Sequence, residues 1–225
     1  MRIKKIIGAS LIVLFSVVLL VACNRNTYEV DQNKVETGSF TDQRDGKIYK
    51  TVKIADHWIL AENFAYKPDT GNFWVYEDNE SNIALYGYLY DWETAMNITP
   101  DGWHLPSRDE WDEVRKALGG KMGVYYYHEK VYPKLIVGGS SGLNMKLGGI
   151  RTCSGKYKFL NDKVMFWNSN ISGSEKIGVE HSVYGLNSNK ENVPHGLFMS
   201  TAPYMYNNGH FLNSCSGFNV RLFKD

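Results

Sequence analysis

Apolar positions fall into three regimes along the chain. Ile6 to Val21 is an almost unbroken apolar run, residues 24–38 show no sustained apolar period, and from about Phe40 short apolar runs alternate with Gly, Asn and Ser clusters. Such punctuation predicts short strands and long ordered loops, not a helical bundle. Asp45-Gly46 is a two-residue turn signal, and it predicts a hairpin of strands over 39–44 and 47–54. In the second strand Ile48, Val52 and Ile54 share one face, while Tyr49, Thr51 and Lys53 take the other. Trp58, Leu60 and Phe64 continue into a further strand and the turn after it. Between Ile83 and Met96, the aromatic run through Tyr86, Tyr88, Tyr90 and Trp92 predicts a buried extended entry. A short helix then follows, with Asp91 as N-cap. The clearest helix follows Ser107, because Ser107 and Glu110 stand in the Ser-x-x-Glu order of a capping box. Trp111, Val114 and Leu118 fall at helical spacing, and Gly119-Gly120 ends the helix. A last strand is expected over Phe218 to Phe223, and no internal repeat occurs.

The first apolar run changes meaning once its flanks are read. Arg2, Lys4 and Lys5 precede it, and small Ala22 follows it just before Cys23. Charge, apolar core and small-residue site in that order make residues 1–22 a secretion signal. An uncleaved membrane helix is the alternative, but the run is slightly short for one and no basic flank follows. Leu20-Val21-Ala22-Cys23 resembles the lipobox of bacterial lipoproteins. That resemblance implies that Cys23 is acylated, with chains such as palmitate, and becomes the new N-terminus. Each buried methylene is worth about 0.8 kcal/mol and one chain binds only reversibly, so the implied two or three chains give lasting attachment. Asn24, not Asp, follows the cysteine, which leans towards the outer membrane under the sorting rules of enteric bacteria. Residues 23–38 are expected to be a flexible tether, and residues 39–225 one domain.

Removing the leader takes three of the 25 basic residues and none of the 24 acids, leaving 22 against 24. A slightly acidic mature chain has no general attraction to phosphate backbones, so nucleic acid is not an expected partner. With Cys23 lipidated, Cys153 and Cys215 remain. An exported protein can oxidise such a pair, and two separate thiols are the alternative. No Cys-x-x-Cys or Cys/His cluster occurs, so no structural zinc or other metal is expected, and no cofactor.

Four blocks carry a more specific resemblance. They are Phe40-Thr41-Asp42-Gln43-Arg44-Asp45-Gly46-Lys47-Ile48-Tyr49, Tyr86-Gly87-Tyr88-Leu89-Tyr90-Asp91-Trp92, Asp101 to Trp111 (Asp-Gly-Trp-His-Leu-Pro-Ser-Arg-Asp-Glu-Trp), and Phe166-Trp167-Asn168-Ser169. With the closing Ser216-Gly217-Phe218-Asn219-Val220-Arg221, they resemble the Fibrobacter succinogenes major paralogous domain, in that family's order and over about 40–225. The family is largely of unknown function and occurs on exported bacterial proteins. The resemblance implies an α+β fold like the C-type lectin domains and the formylglycine-generating enzymes. Short antiparallel sheets, two or so short helices and long ordered loops are expected. Members often carry a cysteine after the final Val-Arg, where this chain has Leu222, so the family pattern lends no support to a Cys153–Cys215 bridge.

The strongest motif reads as architecture. Pro106 stiffens the helix entry, Ser107 and Glu110 close it, and Trp103 and Trp111 have the size to anchor a core. His104, between Trp103 and Leu105-Pro106, is expected to be a hydrogen-bonded structural residue, with no second histidine at metal-ligand spacing. The formylglycine-generating likeness would need a reactive cysteine pair holding copper, and neither Cys153 nor Cys215 matches that motif. No Gly-x-Ser-x-Gly, His-Glu-x-x-His or phosphate loop occurs. A calcium lectin would need a Glu-Pro-Asn or Gln-Pro-Asp triplet, which is missing. Trp167-Asn168-Ser169 has Ser where the second triplet needs a carboxylate.

A binding surface remains. Tyr125, Tyr126 and Tyr127, and Tyr204, Tyr206 and Asn207, combine aromatic faces with amide or ring donors in expected loops. Rings that stack on sugar faces beside amides that read hydroxyls suit polysaccharide, and the same groups suit a surface protein. Alternatively these tyrosines pack a small sheet. The expectation is a lipid-anchored binding module without catalysis. The alternative is an envelope structural or assembly component of an adhesion or fimbrial complex, followed by an oxidase related to the formylglycine generators.

Overall fold

The computed structural model describes residues 35–120, 131–172, 180–187, 196–201 and 214–225. The first sheet is built from β1 (Glu36–Thr41), β2 (Ile48–Ile54), β3 (His57–Leu60), β6 (Trp103–His104) and β12 (Phe223–Lys224), in the order β1-β2-β3-β12-β6, all antiparallel. A two-stranded ribbon pairs β4 (Phe73–Trp74) with β5 (Leu89–Tyr90). The second sheet has the order β11-β10-β9-β7-β8, from β7 (Gly148–Arg151), β8 (Tyr157–Leu160), β9 (Lys163–Ser172), β10 (Glu180–Asn187) and β11 (Gly196–Thr201). Its pairs are antiparallel except β7 with β9. The helices are α1 (Ile83–Tyr86), α2 (Trp92–Asn97), α3 (Arg108–Ala117) and α4 (Tyr132–Leu135), with 3-10 turns at Tyr76–Asp78 and Glu80–Asn82. Mixed short helices and mainly antiparallel sheets make this an α+β fold. Among the described residues, α1 and α4 are single-turn additions to the two helices that the sequence predicts.

Both expected helices start where their caps are. The Asp91 carboxylate accepts the Thr94 N–H at 2.8 Å. Ser107 Oγ accepts the Glu110 N–H at 3.2 Å while the Glu110 carboxylate accepts the Ser107 N–H at 2.7 Å, a reciprocal capping box. The first hairpin differs from expectation in two ways. β1 begins at Glu36, inside the segment read as a tether, and pairs with β2 from Glu36↔Lys53 to Thr41↔Ile48. Its side chains are mostly exposed, so the backbone ladder holds it and no apolar period betrays it. The link to β2 is also longer than a two-residue turn. The Asp42 and Lys47 backbones pair across it, and buried Asp42 takes two bonds from the Arg44 guanidinium, at 2.9 and 2.7 Å. Arg44 also donates to the Ile98 carbonyl at 2.9 Å, so the turn is set by a contact 54 residues away.

β2 alternates as read, but it is buried on both faces. Tyr49 joins one apolar cluster, with Leu60, Phe64, Tyr90, Trp167, Phe218 and Leu222. Val52 and Ile54 join a second cluster, with Trp111, Val114, Phe166 and Phe223. Ile48 is 65% exposed and belongs to neither. The expected last strand is a discontinuous one. Phe218, Asn219 and Gly217 make isolated bridges to Tyr90, Phe166 and Arg151, and only Phe223–Lys224 forms a regular strand, between β3 and β6. Residues 217–224 therefore touch both sheets and the ribbon. Alternation along them sends Phe218, Val220 and Leu222 into the first cluster and Phe223 into the second, with Asn219 and Arg221 on the second side.

Candidate functional site

The sequence motif around β6 and α3 folds into a clamp. Trp103 and Trp111 are buried, and the Pro106 carbonyl accepts the Ser169 N–H at 2.9 Å. His104 lies between two carboxylates, with Nδ1 2.6 Å from Asp225 Oδ1 and Nε2 2.7 Å from Glu110 Oε1. An imidazolium donating through both nitrogens fits this arrangement. Burial disfavours the charged ring, but the hydrogen bonds and charges of Asp225 and Glu110 more than offset that, and its pKa is raised. Burial raises the Glu110 pKa. The bonds from Ser107 and His104 outweigh that, so it ends below its ordinary value.

The sign of the pH effect follows from these two directions. The His104 contribution is complete below about 6.5 and is lost as pH rises through its raised folded pKa. The Glu110 contribution is present above about 4.3 and is lost as pH falls through its lowered one. Side chains 36%, 23% and 59% exposed for His104, Glu110 and Asp225 keep the clamp near 1 kcal/mol or below, since solvent screens it. Urea midpoints of the wild type and His104→Gln should differ most between about pH 4.3 and 6.5 and converge in alkali. A difference constant from pH 4 to 9 (roughly the carboxylate-to-lysine range) would show that His104 acts by packing alone.

Other sequence-selected residues fall in different places. Trp167 and Asn168 are fully buried; the Trp167 indole donates to the Tyr90 carbonyl at 2.7 Å, and Asn168 Oδ1 accepts the Asn170 N–H at 3.2 Å. That triplet is core structure and not an open ligand loop. Cys153 and Cys215 are joined as a disulfide with Cα atoms 5.1 Å apart. Cys23, Tyr125, Tyr126, Tyr127, Tyr204, Tyr206 and Asn207 lie outside the described residues. No group of three His, Cys, Asp or Glu able to hold a metal ion occurs among the described residues.

The most site-like feature is a cleft that the sequence does not announce. It has a volume of about 300 Å³, and its walls come from β2, the segment after β3, α1 and the loop after α4. Arg221 closes its floor and is only 1% exposed. The guanidinium donates from Nε to Asn63 Oδ1 at 2.8 Å and from Nη1 to the Leu60 and Leu143 carbonyls at 2.8 and 2.9 Å. Its carbon stands 5.6 Å from the Phe166 ring centre. Burial pushes the Arg221 pKa down to about 9, against the pull of Glu62, so it stays cationic at neutral pH.

The walls add charge and an apolar rim. Lys47, Lys50 and Lys146 face the same space, with Glu62 as the one acid in its lining. Lys47 is held below its ordinary pKa by burial, which Glu62 and Asp45 partly counter. Asn63 is oriented by donating to the Tyr86 carbonyl at 2.9 Å. Gly87 lets the backbone pass here, since its φ is +71° and a Cβ would stand 2.6 Å from the Phe64 carbonyl oxygen. Leu85 and Val137, 51% and 60% exposed, also line an adjoining groove of about 370 Å³ with Tyr86, Tyr132, Ile136 and Met145. A charged, semi-enclosed floor beside exposed apolar edges can hold a polar ligand and pack its apolar face.

Sequence reading missed this cleft because its walls are scattered through the chain. One local signal was available: Arg221 is the sole charge in the apolar stretch Phe218 to Phe223.

Comparison with known proteins gives one relation. No curated protein and no solved structure matches the chain. Residues 28–224 match the family described as the Fibrobacter succinogenes major domain, a span that includes β1 and every described element. The chain belongs to the Fibrobacter succinogenes major domain family.

Proposed function

We propose that this protein is a lipid-anchored extracytoplasmic binding module, held on the outer membrane through Cys23 and recognising polysaccharide or a surface protein. The observation that carries the reading is the cleft over Arg221, with hydrogen-bonding and charged walls beside the exposed Leu85 and Val137. The basic-apolar-Ala22-Cys23 leader supports the anchoring, and the Cys153–Cys215 disulfide suits an oxidising compartment. With both of these thiols bonded to each other, the residues give no support to a copper-thiolate oxidase.

The test is a broad glycan array probed with the acylated full-length protein in detergent, with and without calcium. Binding that is lost in Lys50→Glu and Lys146→Glu is the expected result. Loss in Tyr126→Ala or Tyr206→Ala instead would move recognition to those tyrosine segments. A silent array under both conditions rejects glycan recognition and favours assembly into an envelope complex. One observation favours that second reading: β1 is an edge strand, paired only with β2 among the described residues, and its free edge can accept another strand.

A further inference from the structure

Arg221 is a buried cation that the described residues leave without a counter-ion. Buried Asp42 is paired with Arg44 at 2.7 Å and buried Arg115 with Asp112 at 2.6 Å, while Asp91 caps α2 and accepts from Thr94 and Asn72. Arg221 is as deeply buried, yet among the described residues no carboxylate lies within ion-pair distance of it. Its three hydrogen bonds go to neutral oxygens, the Asn63 amide and two carbonyls. These consume the Nε proton and both Nη1 protons. Nη2 keeps two donors with no acceptor among the described residues, and it is not among the buried atoms sealed from solvent. A buried cation without a counter-ion costs several kcal/mol, so structural use alone is an expensive reason to keep one.

The surroundings point the same way. Lys47, Lys50, Lys146 and Arg221 itself line this space against Glu62 alone, so the cleft carries an excess of three positive charges. The mature chain as a whole is slightly acidic, which makes this a local concentration and not a general bias. Glu62 limits how far an anion can spread over the wall, and Leu85, Ile83 and Ala84 add carbon surface to the lining. A volume near 300 Å³ is at the small end of ligand sites and suits one sugar ring with a substituent.

We propose that the cleft over Arg221 binds the acidic group of a saccharide, a uronate carboxylate, with one oxygen on Nη2 and the lysines neutralising the rest. This rests on the binding-module reading and narrows it to acidic glycans. Nε is already taken by Asn63, so the carboxylate approaches Nη2 alone and not the bidentate edge of the fork. Lys50 and Lys146 then act as charge on the wall, and their effect is salt-dependent.

The test uses the full-length acylated protein in detergent and follows the Arg221 Nε–H resonance together with the melting temperature. Galacturonate and glucuronate are titrated at constant ionic strength, against galactose, glucose and sulfate as probes. Uronate should move the Arg221 resonance and raise the melting temperature, while the neutral sugars leave both unchanged. Lys50→Glu, on an exposed wall position, should weaken the uronate response about tenfold or more without altering the unliganded melt. A resonance moved by sulfate alone, or by none of the probes, overturns the proposal. Neutral glycans that bind on the array while the Arg221 resonance stays still would keep the module reading and remove this one.

Discussion

Trp111→Ala should cost about 3–5 kcal/mol of stability. The side chain is fully buried, and its ring lies 4.8 Å edge-on from Phe223 and 6.2 Å from Phe166. Phe223 belongs to the first sheet and Phe166 to the second, so this ring links α3 to both. Strands fix its neighbours on two sides, so the space left by the indole collapses poorly and the cavity penalty stays near the upper end. Urea denaturation at fixed pH measures it. A loss below about 1 kcal/mol would mean that α3 closes the core without this contact. Because the two sheets meet there, the m-value should stay constant while the midpoint falls.

Removing the Cys153–Cys215 disulfide is expected to cost about 4 kcal/mol on the chain-entropy account, for cysteines 62 positions apart. Both cysteines are exposed, so a Cys153→Ser, Cys215→Ser double variant leaves no cavity and reports the crosslink itself. The bond ties the turn after β7 to the segment that leads into Phe218. There Arg151 and Gly217 exchange two backbone hydrogen bonds at 2.9 and 2.7 Å. Guanidinium midpoints of the oxidised protein, the reduced protein and the double variant decide it. The last two should coincide well below the first. Three equal midpoints would show that the native hydrogen bonds alone set the register.

What was legible in the sequence follows from how local the physics is. The caps of α2 and α3 are complete within four residues, so Asp91 with Thr94 and Ser107 with Glu110 could be read directly. Alternation in β2 was legible too, because pleating acts residue by residue. β1 was shortened because its exposed side chains carry no pattern and its ladder bonds are invisible in composition. The first turn was misjudged because Arg44 answers to Ile98, and Asp-Gly alone could not reveal that. The cleft was least legible of all. Its floor is one arginine and its walls come from four separate stretches, so only the fold brings Lys47, Glu62, Lys146 and Arg221 together. The apolar surroundings of Arg221 were the clue, and they describe a buried charge without saying what answers it.

The placement of residues 217–224 sets a timetable for the chain. Their end, Phe223–Lys224, lies between β3 and β6, and their start bridges Tyr90, Arg151 and Phe166, so both apolar clusters stay open until this segment arrives. A growing chain delivers that segment only after every other strand and helix described above has been made. Folding in step with synthesis is therefore blocked: hairpins such as β1–β2 can form early, but neither core can close. For a protein on the export route proposed above, this delay is useful. On that route the polypeptide would stay threadable through a narrow translocation pore and gain its compact state on the far side, where Cys153 and Cys215 would also meet an oxidant.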